Sequence, residues 1–213
     1  MRITLFGAAG EVGRRISAEA LARGHELRAV VRKPAQRSTL VDGVEACVGD
    51  ASQLEDVVRL SQGQDLVISA VRPPEGNESL LVHLTDTILQ AADKVGVRVL
   101  IVGGAAKLLV PGQGGHTVLS APNFLPASVV PIATACFQQY ELCRDKNLGN
   151  WTYLCPPAML TPGVRTGNYR LGGDELVVDE QGLSQISMED FAVAMLDESE
   201  RVRHQGASFT AAY

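Results

Sequence analysis

The chain is predicted to be an α/β protein built on a doubly wound parallel sheet, with a small C-terminal segment on the substrate side. Three observations predict this. The apolar run Ile3–Phe6 leads into Gly7-Ala8-Ala9-Gly10-Glu11-Val12-Gly13 and then into an amphipathic segment. Continuously apolar Val/Ile/Leu runs alternate with helical periodicity through the first two thirds, as in strands covered on both faces. The 213 residues, 46% apolar and 20% charged, suit one domain spanning 1–213 with a buried core and are too few for two.

The first element is a strand that ends at Gly7 and gives way to a helix over Glu11–Arg23. The first N–H groups of that helix have no internal partners, and with the helix dipole they favour an anion such as a dinucleotide pyrophosphate. Gly7 permits the tight turn, Gly10 the approach of backbone to phosphate, and Gly13 close packing of helix on strand. Ala9, Glu11 and Val12 complete the turn. Val12, Ile16, Ala20 and Leu21 form the apolar stripe, and Gly24 closes the helix as a C-cap.

Further strands are expected at Leu27–Val31, Val44–Val48, Leu66–Ala70, Val97–Val102 and Thr152–Cys155. Helices are expected at Ser52–Leu60, capped by Asp50 or Ser52, at Glu78–Val95 and at Ser128–Lys146. This βαβαβ order places a cofactor across the carboxyl ends of the strands. Two stretches break the rhythm. Gly103–Ala127 has glycines, prolines and little periodicity, so it reads as a long functional loop. Pro156–Ser187 reads as an insertion on the substrate side with a short strand at Glu175–Val178. Ser187-x-x-Asp190 then begins a last helix as a capping box, and Ser208–Ala212 adds an edge strand.

Composition narrows the function. A net charge of −5 with no basic run argues against nucleic acid as a partner. No apolar stretch reaches the roughly 18 residues of a membrane helix, and the N-terminus begins on a strand with no secretory signal. Cys47, Cys136, Cys143 and Cys155 form no CxxC pair and no metal cluster with the histidines, so they read as reduced thiols of a cytoplasmic protein without a metal.

The second strand ends in Val30-Val31-Arg32-Lys33, where an NAD-binding protein usually places an acidic residue on the ribose 2′-hydroxyl. Two cations there suit a 2′-phosphate, so NADP(H) is the expected cofactor and NAD(H) the alternative. Asp50, with Ala51 after the third strand, offers a carboxylate to the adenine amino group or to a helix cap; the sequence leaves both roles open.

The glycine turn, Arg32-Lys33, Gly49-Asp50 and the strand order together resemble the short-chain dehydrogenase/reductase superfamily, whose fold is of the Rossmann type. Segments 102–106, 151–157, 166–173 and 186–192 narrow the resemblance, which covers essentially the whole chain, to its atypical NAD(P)H-binding members. These include the group labelled NADH-flavin reductases, NmrA-like proteins and, more distantly, biliverdin-IXβ/flavin reductases. The resemblance implies that Ser69, Ala70 and Val71 pass beside the adenosine. It also implies that Pro156, Pro157 and Ala158 run along the nicotinamide, and that Gly103 and Gly104 approach it closely.

The chain departs from the superfamily in its catalytic residues. Typical members carry a Ser after the fifth strand and a Tyr-x-x-x-Lys on the next helix. Here the corresponding residues are Gly104-Ala105-Ala106, and the similar spacing is Tyr140-x-x-x-Arg144. An arginine can stabilise a phenolate but relays no proton at ordinary pH. Tyr140 and His116 are therefore the weak catalytic candidates. Hydride transfer to a flavin, quinone or similar conjugated acceptor dispenses with that machinery, because the protein mainly aligns two rings. Lys107, His116, Phe124, Met159, Arg165 and Tyr169 are the candidates for the acceptor pocket. The leading expectation is an NADPH-dependent reductase, monomeric or homodimeric. A redox-sensing regulator that binds without turnover and a nucleotide-dependent epimerase are the alternatives.

Overall fold

The structure, a computed structural model, describes residues 1–146 and 148–213. It begins with β1 (Arg2–Phe6), α1 (Glu11–Ala22), β2 (Glu26–Val31), β3 (Glu45–Val48), α2 (Leu54–Ser61) and β4 (Leu66–Ser69). It continues with α3 (Leu80–Val95), β5 (Arg98–Val102), α4 (Val130–Asp145) and β6 (Trp151–Cys155). The last part holds β7 (Met159–Thr161), β8 (Arg170–Gly172), β9 (Gln185–Ser187), α5 (Met188–Glu200) and β10 (Ala207–Ala212). The main sheet has the order β3-β2-β1-β4-β5-β6-β10-β8 and is parallel throughout except for β8. The sequence changes direction across the sheet between β1 and β4, which opens a crevice above their carboxyl ends.

Strand alternation sends side chains into two apolar layers. Phe6, Val67, Ile101 and Tyr153 pack with Val57 and Leu60 of α2, Ile88 of α3 and Cys143 of α4. Ile3, Leu5, Ile68 and Leu154 pack with Ile16 and Ala20 of α1 and Phe191 and Met195 of α5. Thr4, polar within an apolar strand, donates its hydroxyl to the Leu60 carbonyl at 2.7 Å. Helix α1 ends as expected around Gly24: Gly24 N–H reaches Leu21 O and His25 N–H reaches Ala20 O. Among the described residues no helix is long and apolar enough to cross a membrane.

Several expected elements change. The strand at Ser208–Ala212 lies inside the sheet, between β6 and β8, because Arg170–Gly172 returns antiparallel to cover its outer edge. Glu175–Val178 forms no strand; Glu175 makes one isolated bridge to Leu109, which also bridges Thr117 and ties down the 103–127 loop. Helix α2 starts at Leu54, later than expected, and neither Asp50 nor Ser52 caps it. Asp50 Oδ1 instead accepts from Ser52 N at 2.9 Å and Ser52 Oγ at 2.8 Å, so a turn precedes the helix.

The Ser187 capping box is half formed. Ser187 Oγ accepts from Asp190 N at 3.0 Å, but the Asp190 carboxylate is engaged elsewhere. Fully buried, it accepts from Thr166 N (2.8 Å), Thr166 Oγ1 (2.5 Å), Gly167 N (2.7 Å) and Tyr213 Oη (2.8 Å). Burial alone would raise its pKa, and these donors outweigh it, so the carboxyl titrates below its usual range. Glu19, also buried, is held low by Arg165, against its own desolvation, with Arg23 adding to the effect. Burial pushes the thiols of Cys143 and Cys155 up to about 12, which leaves them inert packing groups.

Gly13 lies where an added Cβ would fall 2.1 Å from the Gly7 carbonyl oxygen. Gly13→Ala should therefore lose about 2 kcal/mol in urea unfolding, the cost of overpacking. Alanine's better helix propensity is worth about 1 kcal/mol the other way, so unchanged or increased stability would show that the contact relaxes freely. Asp190→Asn should cost about 2 kcal/mol near pH 7, the scale of a hydrogen bond to a charged group. The depressed carboxyl contributes stability that is present above its unfolded pKa and lost as pH falls through the lower folded one. The gap between wild type and variant should thus be constant above pH ~5 and narrow below pH ~4.

Candidate functional site

A cleft of about 530 Å³ opens above the carboxyl ends of β1, β2, β3 and β4. Its floor is the turn after β1. Gly7 has φ +84°, and an added Cβ would sit 2.3 Å from the Ala70 carbonyl oxygen, so glycine is required both by conformation and by proximity. Gly10 N–H closes the turn on Gly7 O at 3.0 Å, and the first i→i−4 bond of α1 is Arg14 N–H to Gly10 O at 2.9 Å. The amides of Glu11, Val12 and Gly13 thus precede the helical ladder, and no side chain caps them. Glu11 would oppose an anion there, but it pairs with Arg15 at 2.6 Å and Arg14 at 2.9 Å, which also lower its pKa.

The walls bring together many of the sequence candidates. Gly7, Ala9, Gly10, Arg32, Asp50, Ala51, Ala70 and Val71 all line the cleft. Gly13 lies beneath the turn, buried against it, and Ser69 is buried at the end of β4 with its hydroxyl unpartnered among the described residues. Lys33 stands outside the lining, where its N–H donates to Gln36 Oε1 at 3.0 Å to open a short 3₁₀ turn over Pro34–Thr39. Gly103 and Gly104 follow β5, and Pro156, Pro157 and Ala158 follow β6, further along the same edge of the sheet.

The cleft also contains residues that the sequence reading missed. Arg72 follows β4, Gln36 comes from the 3₁₀ turn, and His83 and Leu84 come from the first turns of α3. Arg72 was legible as a cation just past a strand's carboxyl end. His83 was not, because which face of α3 looks into the cleft depends on how α3 packs on α2 and α4. The side chains of Arg32 and Arg72 are both exposed and make no ion pair among the described residues. With no carboxylate paired to either cation among the described residues, the arrangement can receive a phosphate.

The acceptor and acid–base candidates are dispersed. Tyr140 borders a separate groove with Trp151 and Ala207, at the amino ends of β6 and β10, because α4 runs antiparallel to the strands. Its ring meets Tyr153 edge-on at 5.6 Å and lies under the Lys107 ammonium at 4.8 Å. Arg144 pairs with Asp145 at 2.8 Å and Glu141 at 3.8 Å, away from the role suggested by its spacing from Tyr140. Lys107 is buried, ion-paired with Asp174 and bonded to Ser208 Oγ at 2.8 Å. Arg165 is held by Glu19 at 2.7 and 2.9 Å, and Tyr169 donates to Asp197 at 2.5 Å, so both are committed to the protein. His116 is an exposed loop residue 3.3 Å from Ser120 Oγ, Phe124 packs on the core, and Met159 is exposed. Among the described residues no group of three or more His, Cys, Asp or Glu is placed to hold a metal ion.

Comparison with known proteins agrees with this geometry. YwnB, an uncharacterized protein of Bacillus subtilis (strain 168), is 32% identical over 212 residues, covering 99% of this chain and 97% of its own. A solved Bacteroides thetaiotaomicron protein, provisionally named an epimerase, is 36% identical with a TM-score of 0.90, covering 100% of this chain and 96% of its own. A Streptococcus pneumoniae TIGR4 protein, provisionally named an NADH-flavin reductase, is 30% identical with a TM-score of 0.87, covering 100% and 99%. A family model described as NAD(P)H-binding matches residues 7–199. A glycine turn seated under Ala70, a helix start with uncapped amides and a match over nearly the whole chain agree: the protein belongs to the NAD(P)H-binding family of Rossmann-fold, oxidoreductase-like proteins.

Proposed function

We propose that this protein is an NADPH-dependent oxidoreductase that passes hydride to a flavin, a quinone or a similar conjugated small molecule. The observation that carries this reading is the asymmetry of the crevice. One end collects uncapped amides and the guanidinium groups of Arg32 and Arg72, which make no ion pair among the described residues. The other end, past β5 and β6, is backbone and small or apolar side chains: Gly103, Gly104, Ala105, Pro156, Pro157 and Ala158.

The residues present fit a dinucleotide. The cleft of about 530 Å³ has the size of a ligand site, and a Cβ on Gly7 or Gly13 would destroy its floor. The amides of Glu11, Val12 and Gly13, with the dipole of α1, would hold the pyrophosphate. Arg32 would meet the 2′-phosphate, with Arg72 as a second cation lining the same cleft. Asp50 keeps Oδ2 free for the adenine amino group while Oδ1 holds the Ser52 turn. When bound, the nicotinamide supplies the hydride. The chain's own part is to align two rings and keep water off their faces, and solvent delivers the balancing proton to the reduced acceptor. An epimerase would need a positioned acid and base, and Tyr140 with Arg144 stands at the wrong end of the strands for that.

Titration of the purified protein with NADPH and NADH, followed by FMN and a simple quinone, tests the reading. The expected result is tighter binding of NADPH and its oxidation only when an acceptor is present. Tight binding with no oxidation by any acceptor would make the protein an NAD(P)H sensor, and no binding of either nucleotide would end the proposal. Arg32→Glu should weaken NADPH about 10- to 100-fold while changing NADH little, the scale of one charge-assisted contact. Equal losses for both nucleotides would remove Arg32 from the 2′-phosphate site.

A further inference from the structure

A buried polar chain runs from the end of β5 into the α3–α4 layer. Gly104 N–H donates to Tyr153 Oη at 3.1 Å. Tyr153 Oη donates to Gln139 Oε1 at 3.0 Å, with the Cys136 carbonyl at 2.9 Å as its other acceptor. Gln139 Nε2 donates to Thr85 Oγ1 at 2.8 Å, and Thr85 Oγ1 donates to the Leu81 carbonyl at 2.8 Å. Each link fixes the next. Thr85 spends its proton on Leu81, so it accepts from the Gln139 amide, which turns the Gln139 oxygen toward Tyr153. The phenol then has only a lone pair to offer Gly104. Tyr153, Gln139 and Thr85 are all buried beside the apolar cluster, where a hydrogen-bonded network holds its geometry firmly.

The glycines are shaped to this phenol. A Cβ on Gly103 would lie 2.0 Å from the Tyr153 ring, and one on Gly104 would lie 2.8 Å from Cys136 Sγ. In a trans peptide the N–H and C=O point to opposite sides. With Gly104 N–H drawn toward Tyr153, the Gly103 carbonyl points the other way, and it has no protein donor among the described residues.

We propose that Tyr153 is a positioning residue: its hydroxyl sets the Gly103–Gly104 peptide so that the Gly103 carbonyl is presented as a hydrogen-bond acceptor for an amide N–H of the bound ligand, the carboxamide of a nicotinamide. This rests on the dinucleotide reading above. Tyr153 itself exchanges no proton with a substrate. It is wholly buried, and burial holds its pKa well above the ordinary tyrosine value.

Tyr153→Phe keeps the ring and removes only the hydroxyl. Three affinities are compared in wild type and variant: NADP⁺, 2′,5′-ADP (which lacks the nicotinamide half) and NADP⁺ bearing an acetyl group in place of the carboxamide, which leaves no N–H to donate. The expected result is an unchanged 2′,5′-ADP affinity, an NADP⁺ affinity about tenfold lower, and a smaller loss for the acetyl analogue. Parallel loss of 2′,5′-ADP and NADP⁺ would mean a general structural role and would overturn the proposal, as would no loss at all. Wild-type protein that binds neither ligand would defeat the dinucleotide reading and this proposal with it. Amide exchange at Gly104, read by NMR without ligand, should speed up at least tenfold in the variant; unaltered exchange would overturn the proposal on its own. Gln139→Leu, which leaves the phenol with only the Cys136 carbonyl to donate to, should give the same pattern at smaller size and serves if Tyr153→Phe does not fold.

Discussion

The close approach of three backbone segments at the carboxyl end of β1 is the constraint on which the rest of the molecule depends. The turn at Gly7, the first turn of α1 at Gly13 and the end of β4 at Ala70 meet with no room for a side chain at either glycine. This contact seats α1 on the sheet with its amino end over the crevice. It also joins β1 to β4, the pair at which the chain changes direction across the sheet. The anion-favouring end of the helix and the topological opening of the sheet therefore coincide in space. A bulkier turn would separate them.

Ionic contacts extend this arrangement to the last third of the chain. Glu19 and Arg23 on α1 reach Arg165 and Asp197, and Arg15 reaches Glu189 at the start of α5. Asp190 gathers four donors from Thr166, Gly167 and Tyr213. Glu19 and Asp190 are both buried, so each depends on its partners to remain charged. Removing one partner would strand a charge, which makes these contacts determinants of geometry more than simple sources of stability. They also explain why Arg165 and Tyr169 are not free for a ligand: each neutralises or satisfies a carboxylate of the scaffold.

The crevice that results is polar at one end and plain at the other. Arg32 and Arg72 stand exposed on its walls with no ion pair among the described residues, while the Gly103–Gly104 segment shows only backbone. On the proposed reading, binding energy comes from the phosphates and the adenosine, and the reacting end contributes shape. Tyr153 links this plain end to the core, and its buried chain runs through β6 and α4 to Leu81 on α3, the helix whose His83 and Leu84 line the cleft.

What the sequence determined by itself is local or periodic. Continuous apolar runs placed six of the seven parallel strands to within a residue or so, and the spacing of Gly7, Gly10 and Gly13 located the first turn, because such features need only neighbouring residues to take effect. Part of the lining of the cleft was legible for the same reason: Arg32 and Ala70 directly follow strand ends, and Asp50 stands two residues past one. Tertiary structure decided the rest. Whether Ser208–Ala212 was an edge or an inner strand depended on where Arg170–Gly172 returned. The fate of Asp190 depended on Thr166 and Tyr213, more than twenty residues away on either side. The glycines after β5 read as a close approach to a ligand; that the Tyr153 ring, fifty residues on, also lies where a Cβ of Gly103 would fall was not legible in the spacing. Side chains with hydrogen-bonding choices take whichever partner packing brings within about 3 Å, and sequence spacing carries no record of that distance.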